Sequence, residues 1–306
     1  MERIVSLLPS LTETACALGL RERLVGRSHE CDHPPGVEAL PALTAPRRPL
    51  EGASGAIDAR VRELVRQGLS IYEVDAEALR ALAPDLVLTQ DQCAVCAASL
   101  ADVEAALAAW TGGAPRVLSV SPWTLREVWA SLRAVAEAAG VPERGAALAA
   151  SLTERVVNLG ERAGALGRRP RLACLEWLDP LMDAGHWMPE LVALAGGRPA
   201  LGASGERSRT LTLEALVAAD PELLLIAPCG FDLPRTRREL PALLAQPGFA
   251  ALGAVRAGRV YAADGNAFFN RPGPRLVESL EILAEVLHPE VFDFGHAGRA
   301  FERVSC

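Results

Sequence analysis

The 306-residue sequence lacks the short motifs that mark many enzyme active sites. It contains no phosphate-binding glycine loop of the Walker or dinucleotide type and no G-x-S-x-G turn around a nucleophilic serine. No helical segment carries two histidines with a glutamate between them, which is the pattern of a zinc protease. These absences exclude active sites built on those motifs. Because no other feature calls for catalysis, we predict that the protein is not an enzyme.

Long apolar runs and an excess of positive charge are also absent. No run approaches the roughly 20 residues that a membrane-spanning helix needs, so we do not expect a membrane-embedded protein. The formal net charge is −7, whereas a general nucleic-acid binder would show a basic face. Hydrophobic residues make up 50% of the chain and charged residues 23%, which is typical of a globular protein. The length predicts about two domains.

The cysteines do not indicate a disulfide framework. The sequence has seven of them, an odd number without regular spacing, which favours reduced thiols. The first residues, MERIVSLLPS, contain no charged leader followed by an apolar core and a cleavage site. We therefore expect a cytoplasmic protein, or a periplasmic one only if an export segment has been removed.

Short β-type runs alternate with helical patterns along the chain. Most of these runs are almost continuously apolar, as in parallel strands that are buried on both faces. Such alternation predicts an α/β fold with parallel sheets. A capping box of Ser10 and Glu13 marks one helix start, and Pro274 marks a first helical position. The predicted strands are 3–8, 23–27, 86–90, 116–120, 171–177, 223–227 and 259–262.

Residues 74–88 and 211–226 repeat one pattern at an offset of 137 residues, which predicts two similar lobes. The repeated pairs are Glu77 and Glu214, Leu79 and Leu216, Pro84 and Pro221, and Asp85 and Glu222. The segment between the lobes has the pattern of one long helix. The predicted domains are an N-terminal α/β lobe at 1–141, a bridging helix at 142–167, a C-terminal α/β lobe at 168–290 and a tail at 291–306.

Unusual side chains follow the predicted strands, at the sheet edge where ligands of parallel sheets bind. The loops are 28–36, 91–96, 178–191, 228–234 and 263–275. They hold three of the five histidines, His29, His33 and His186, and four of the seven cysteines. Of the adjacent Phe268 and Phe269, we expect one in the core and the other at a rim. Such loops suit a large, flat, partly polar ligand better than a small ion.

Cys93 and Cys96 admit three interpretations. They are two small residues at a junction between strand and helix, a redox pair whose thiol pKa is lowered by a helix N-terminus, or half of a zinc site. A zinc site would need Cys31 with His29 or His33 as the second pair.

Five segments resemble the iron-siderophore/vitamin B12 class of periplasmic binding proteins, the helical-backbone metal receptor type. The resemblance extends from about residue 3 to residue 288 and is strongest to the corrinoid-binding members that feed B12 import transporters. It implies the class III substrate-binding-protein fold, in which one long α-helix bridges two α/β lobes with central parallel sheets and the ligand is clamped between the lobes. The segments are RIVSLLPSLTETACALGL, VGRSHECDHPP, PDLVL, GHWMPELVALAGG and NRPGPRLVESLEIL.

The resemblance also implies roles for individual residues. Glu77 and Glu214 match the glutamate on each lobe that docks onto arginines of a membrane permease, so a transporter permease is the expected partner. Position alone, rather than the resemblance, makes His186 or a cysteine of the predicted cleft loops the candidate cobalt ligand. The resemblance carries over Glu30, Trp187, Phe231 and Phe269 as corrinoid contacts. The other predicted ligand-binding residues lie in loops that would face the cleft, and they are Cys31, Gln92, Cys93, Cys96, Trp177, His186 and Arg271.

The sequence departs from that class in its missing export signal and in the thiols of its predicted cleft loops, and the D-x-H-x-x-G motif of corrinoid enzymes is absent. Our leading hypothesis is a non-catalytic protein that clamps a corrinoid, such as cobalamin, or a related metal-organic ligand between two lobes. The alternative is a cytoplasmic thiol/imidazole protein that binds a metal ion or senses redox state through Cys93 and Cys96 with Cys31 and His29. An enzyme with a small-molecule pocket is a third reading, and no motif supports it.

Overall fold

A computed structural model describes residues 2–92, 97–108, 110 and 113–305. The chain divides into two compact units. The N-terminal unit comprises Met1–Gly52, Ala56–Pro122 and Arg126–Ser151, and the C-terminal unit comprises Ala53–Gly55, Trp123–Leu125 and Leu152–Cys306. Each unit contains a β-sheet with helices, which confirms the predicted α/β class.

The strands of the N-terminal unit form a parallel sheet of four strands and a small antiparallel pair. In chain order they are β1 (Ile4–Ser6), β2 (Leu24–Arg27), β3 (Thr44–Pro46), β4 (Tyr72–Val74), β5 (Leu86–Gln90) and β6 (Arg116–Val120). The sheet order is β2-β1-β5-β6, and β3 pairs with β4. Every residue of β1 and β5 is buried, as the continuous apolar runs predict for strands covered on both faces.

The C-terminal unit has a mixed sheet with a parallel centre. Its strands are β7 (Arg171–Leu178), β8 (Leu181–Asp183), β9 (Arg198–Pro199), β10 (Leu223–Ile226), β11 (Val260–Ala263) and β12 (Phe301–Arg303). The order is β12-β11-β10-β7-β8, with β9 also paired to β7. β7, β10 and β11 are parallel, whereas β8 and β12 are antiparallel strands at the two edges.

Helices follow most strands, as the alternating pattern predicts. They are α1 (Pro9–Ala17), α2 (Ser54–Arg66), α3 (Ala76–Leu82), α4 (Leu100–Leu107), α5 (Leu125–Ala138), α6 (Pro142–Gly164), α7 (Met188–Leu194), α8 (Leu213–Ala219), α9 (Leu233–Leu244), α10 (Gly253–Arg256) and α11 (Leu276–Leu287). In the part of the chain that the structure describes, none of them combines the length and apolarity that crossing a bilayer requires.

All seven predicted strands are confirmed, with ends that differ by at most two residues. The predicted long helix is α6, which begins in the N-terminal unit and ends in the C-terminal unit. The short strands β3, β4, β8, β9 and β12 were not predicted, because two or three residues carry no readable alternation. β12 lies in the predicted tail and pairs with β11.

Two predicted helix starts are wrong. α1 begins at Pro9, so Ser10 lies inside the helix rather than at its cap, and its Oγ has no hydrogen-bond partner among the described residues. The first turn is closed instead by Leu11 N and Thr12 N, which donate to Leu8 O. α11 begins at Leu276, two residues after Pro274.

The sequence repeat is a structural repeat. Glu77 and Glu214 each occupy the second position of a seven-residue helix, α3 and α8. The N-caps of these helices match too, because Asp75 accepts a hydrogen bond from the third residue of α3 and Thr212 from the third residue of α8. Each helix is followed by a C-cap residue with a left-handed backbone, Ala83 or Asp220. Leu79 of α3 and Leu216 of α8 are fully buried.

An arginine and an acid fix each of these two helices to its sheet. Arg3 N donates to Asp85 Oδ2 at 2.7 Å, and the Arg3 guanidinium donates to the carbonyl of the last residue of α3. In the other unit, Arg171 N donates to Glu222 Oε1 at 3.0 Å, and the Arg171 guanidinium donates to the carbonyl of the last residue of α8. The two units therefore hold their glutamate-bearing helices by the same set of contacts.

We expect Leu79→Ala and Leu216→Ala each to lower the free energy of unfolding by about 2–5 kcal/mol, because both side chains are 0% exposed and their loss leaves a cavity. Leu69→Ala is the control, since Leu69 is 46% exposed, and it should change the free energy by less than about 0.5 kcal/mol. Denaturant titration followed by circular dichroism measures all three. Equal effects of Leu79→Ala and Leu69→Ala would contradict the buried position of Leu79.

Candidate functional site

His29 lies just beyond the carboxyl end of β2, in a loop that hydrogen bonds from Arg27 hold in place. The Arg27 guanidinium donates to the carbonyls of Ser28 at 2.9 Å and of His29 at 3.2 Å, and also to those of Glu38 and Leu40. His29 Nδ1 is 2.7 Å from Thr44 Oγ1. Burial, and then the nearby Arg27 charge, lower the pKa of His29 below its ordinary value. The loop therefore presents a fixed imidazole that is neutral at pH 7.

Glu30 and Tyr72 lie beside that imidazole. The rings of His29 and Tyr72 have centres 5.5 Å apart, and Tyr72 Oη is 3.4 Å from Glu30 Oε1. Gln92 follows the end of β5, where its backbone N–H donates to Gln90 Oε1 at 2.6 Å. The predicted ligand-binding residues Glu30 and Gln92 therefore follow the carboxyl ends of the parallel strands β2 and β5.

Cys31 is enclosed by hydroxyl groups. It is 1% exposed, and its Sγ is 3.1 Å from Thr12 Oγ1, which in turn is 2.8 Å from Ser6 Oγ. The thiol thus joins the end of β1 to α1. Cys93 and Cys96 lie outside the described residues. Within the described ranges 2–92, 97–108, 110 and 113–305, no group of three or more His, Cys, Asp or Glu residues is arranged to hold a metal ion. The alternative metal-ion or redox site stays a prediction.

His186 occupies a strained turn in the C-terminal unit. Its φ is +53°, a left-handed value that is uncommon for a residue with a side chain. The backbone is held on both sides, because His186 N donates to Glu206 O at 2.7 Å and Gly205 N donates to His186 O at 3.0 Å. A β-carbon at Gly185 would lie 2.4 Å from Glu206 O, so only glycine fits before the histidine.

Aromatic rings pack against the His186 imidazole. Trp123 stacks on it with ring centres 5.0 Å apart and planes 23° apart, and Trp187 is tilted against it at 5.5 Å. Burial, followed by the Arg207 charge, lowers the pKa of His186. Neither ring nitrogen has a hydrogen-bond partner among the residues that the structure describes. A neutral imidazole with open nitrogens is the form that binds a metal.

The other predicted aromatic contacts form two pairs in the C-terminal unit. Trp187 Nε1 donates to Phe269 O at 3.0 Å, so these two loops are joined. The rings of Trp177 and Phe231 have centres 5.2 Å apart, and the Arg235 guanidinium lies 3.8 Å from the centre of the Phe231 ring. Trp177 is half-buried, whereas Trp187, Phe231 and Phe269 are buried. Trp177 is therefore the member of this group that is partly exposed.

The expectation of a rim residue at 268 or 269 is wrong, because both phenylalanines are buried, Phe268 at 6% exposure and Phe269 at 1%. They lie in a π-helical turn, Gly265–Phe269, where consecutive side chains do not point in opposite directions. Arg275 covers the Phe268 ring at 4.5 Å. Arg271 is also buried, with Nη2 3.1 Å from Asn266 Oδ1.

The two predicted docking glutamates are on the surface. Glu77 and Glu214 are both exposed, one on each unit. The backbone N–H of Glu214 and the Thr212 hydroxyl lower the pKa of the Glu214 carboxyl, which is therefore ionised at neutral pH. Each unit thus carries one exposed acid at the same position of the structural repeat.

The His186 pKa is expected below 6.5, because burial and Arg207 disfavour the charged ring. The neutral form is then favoured on folding, so the resulting stability is complete above pH 6.5 and is lost as the pH falls through the lowered pKa. Arg207→Gln should raise the His186 pKa and leave His29, which is lowered by burial and Arg27, unchanged. Titration of the histidine ring signals by NMR measures both. A His186 pKa at or above 6.5 would contradict this.

Comparison with known proteins gives consistent matches along the chain. The sequence profile of a family described as periplasmic binding proteins matches residues 4–267. The uncharacterized ABC transporter substrate-binding lipoprotein YvrC of Bacillus subtilis is 24% identical over 297 residues, which are 95% of this chain and 81% of that protein.

Solved structures share the fold. The apo periplasmic heme-binding protein RhuT from Roseiflexus sp. RS-1 is 26% identical with a TM-score of 0.71, covering 95% of this chain and 99% of that one. The periplasmic vitamin B12 binding protein BtuF of Vibrio cholerae is 22% identical with a TM-score of 0.64, covering 94% and 96%. The predicted fold is confirmed.

Proposed function

The chain belongs to the periplasmic binding protein family, and from this we propose that it is a non-catalytic substrate-binding protein for a flat metal-organic ring of the corrinoid or heme type. The similar protein in Bacillus subtilis is named as a substrate-binding lipoprotein of an ABC transporter, and the similar solved structures are named for heme and vitamin B12. The observation that carries the proposal is the His186 imidazole, which is packed against aromatic rings and has both nitrogens open.

The chemistry of the loops suits such a ligand. A neutral imidazole donates a lone pair to cobalt or iron, and its lowered pKa keeps it neutral at pH 7. The exposed part of Trp177 offers a flat apolar surface for a macrocycle, and the buried Trp187, Phe231 and Phe269 support the loops behind it. In the N-terminal unit, His29 and Glu30 are the polar candidates for ligand contact. Gln92 is a further proposed contact, whereas Cys31 and Arg271 are 1% and 5% exposed and support their loops from within.

Three ligands distinguish a corrinoid from a heme. We expect purified protein to bind cobinamide, cobalamin or ferric heme with low-micromolar affinity or better, measured by calorimetry and visible absorption. His186→Ala should lower the affinity for the preferred ligand by about tenfold or more, because a metal bond is lost. It should also change the visible spectrum of the bound metal. Arms with cobinamide and cobalamin test for a corrinoid, and the heme arm tests for a porphyrin.

His288→Gln is the matched control. It removes another imidazole of the same unit, whose Nε2 lies 3.3 Å from Gly196 O, and it should change neither affinity nor spectrum. No binding of any of the three ligands at high micromolar concentration would contradict the proposed function.

We propose further that Glu77 and Glu214 dock the loaded protein onto a transporter permease. Their support is the structural repeat, which gives each unit one exposed carboxylate on a helix fixed by the same contacts. Docking from outside the cell membrane requires an exported protein, which the predicted cytoplasmic location would exclude. The location stays a prediction, and cell fractionation tests it.

Glu77→Arg with Glu214→Arg should lower ligand uptake by the host cell about tenfold or more, because reversed charges at an interface are strongly unfavourable. Ligand affinity should not change. The control pair, Glu104→Arg with Glu290→Arg, makes the same charge change at exposed acids of the two units and should leave uptake intact. Equal uptake by the two double variants would exclude docking through the repeat.

A further inference from the structure

The His186 imidazole is held by two residues that lie outside its own turn and outside the predicted ligand set. Trp123 comes just before α5, and its indole stacks on the imidazole at 5.0 Å. The Arg207 guanidinium lies 5.5 Å from the centre of the same indole ring. Arg207 follows Glu206, whose carbonyl accepts the hydrogen bond from His186 N. The imidazole, the indole and the guanidinium therefore form one packed group.

The segment that carries Trp123 is itself anchored in the C-terminal unit. Leu125 N donates to Glu190 Oε2 at 3.1 Å, and Glu190 lies in the first turn of α7, four residues after His186. On the other side, a β-carbon at Gly205 would contact Thr124 Cγ2 at 3.5 Å, so the loop before Arg207 packs closely on this segment. The position of the indole is thus fixed by neighbours on both sides.

The stack covers a face of the imidazole, and the residue as a whole is half-buried. Neither ring nitrogen has a hydrogen-bond partner among the described residues. Histidines that bind metals are usually oriented by a hydrogen bond from the second nitrogen. His186 lacks that bond within the described part of the chain, so its orientation depends on the left-handed backbone and on the stacked indole.

We propose that Trp123 and Arg207 are positioning residues, which hold the His186 imidazole with a ring nitrogen toward the metal of the bound ring. This inference rests on the proposed function and adds to it the residues that orient the metal ligand. Because orientation is set before the ligand arrives, less ordering is needed on binding, and affinity rises for rings whose metal has a free axial position. Removal of such an orienting residue lowers metal affinity by about 10- to 100-fold.

The test compares three tryptophan variants with cobinamide and ferric heme as probes. Trp123→Leu removes the aromatic face, Trp123→Phe retains one, and Trp110→Leu removes a tryptophan of the N-terminal unit as a control. We expect Trp123→Leu to weaken binding of the preferred probe by about 10- to 100-fold and to change the visible spectrum toward that of His186→Ala. Trp123→Phe should recover the wild-type spectrum, and Trp110→Leu should match the wild type throughout.

Arg207 is tested by Arg207→Gln and Arg207→Lys. Gln removes the cation over the indole, whereas Lys keeps the charge, so Lys should restore more of the spectrum than Gln does. A ligand-free measurement supports both sets, because stacking on Trp123 displaces the His186 ring proton signals in NMR. That displacement should disappear in Trp123→Leu and persist in Trp123→Phe.

The outcomes separate the two proposals. Failure of the wild type to bind either probe, or identical spectra for the wild type and His186→Ala, would refute the metal contact of the proposed function. Wild-type affinity and spectrum in Trp123→Leu, with His186→Ala impaired, would refute the positioning role alone. A Trp123→Phe variant as impaired as Trp123→Leu would refute stacking as the physical basis.

Discussion

Parallel pairing of the central strands is the constraint on which the other features depend. In the N-terminal unit, β1, β2, β5 and β6 run in one direction, and in the C-terminal unit so do β7, β10 and β11. Loops far apart in the sequence therefore meet at one edge of each sheet. Both faces of the central strands are buried. Polar and aromatic side chains therefore lie in the loops at the ends of the strands.

Much of the fold was predictable because burial on both faces leaves a plain signal. The run at 86–90 matches β5, in which every residue is buried, residue for residue. What failed was local geometry. The capping box at Ser10 was contradicted because Pro9 already begins the helix. The expectation that only one of the adjacent Phe268 and Phe269 enters the core is wrong, because both lie in a π-helical turn and both are buried.

The candidate site was predictable only in part. His186 stands out in the sequence beside Trp187, within a loop that follows a strand. Trp123 and Arg207 gave no such signal, because their contacts with His186 join three separate segments and exist only in the folded unit. The contacts by which Arg3 holds α3 and Arg171 holds α8, each within its own unit, were also not predicted. These arginines are 168 residues apart, whereas the helices they hold repeat at 137, so a search at one offset finds only half of the repeat.

The central claim is that the ligand lies at the carboxyl ends of the parallel strands, and hydrogen exchange with and without the bound metal-organic ring tests it most directly. The account predicts slower exchange in the loops at 28–33, 228–231 and 264–271, which follow these strands, and in the segment 184–188, which follows the antiparallel β8 and carries His186. The turns at 83–85 and 220–222, which precede β5 and β10, should be unaffected. Slower exchange at those turns, with none in the carboxyl-end loops, would contradict the account.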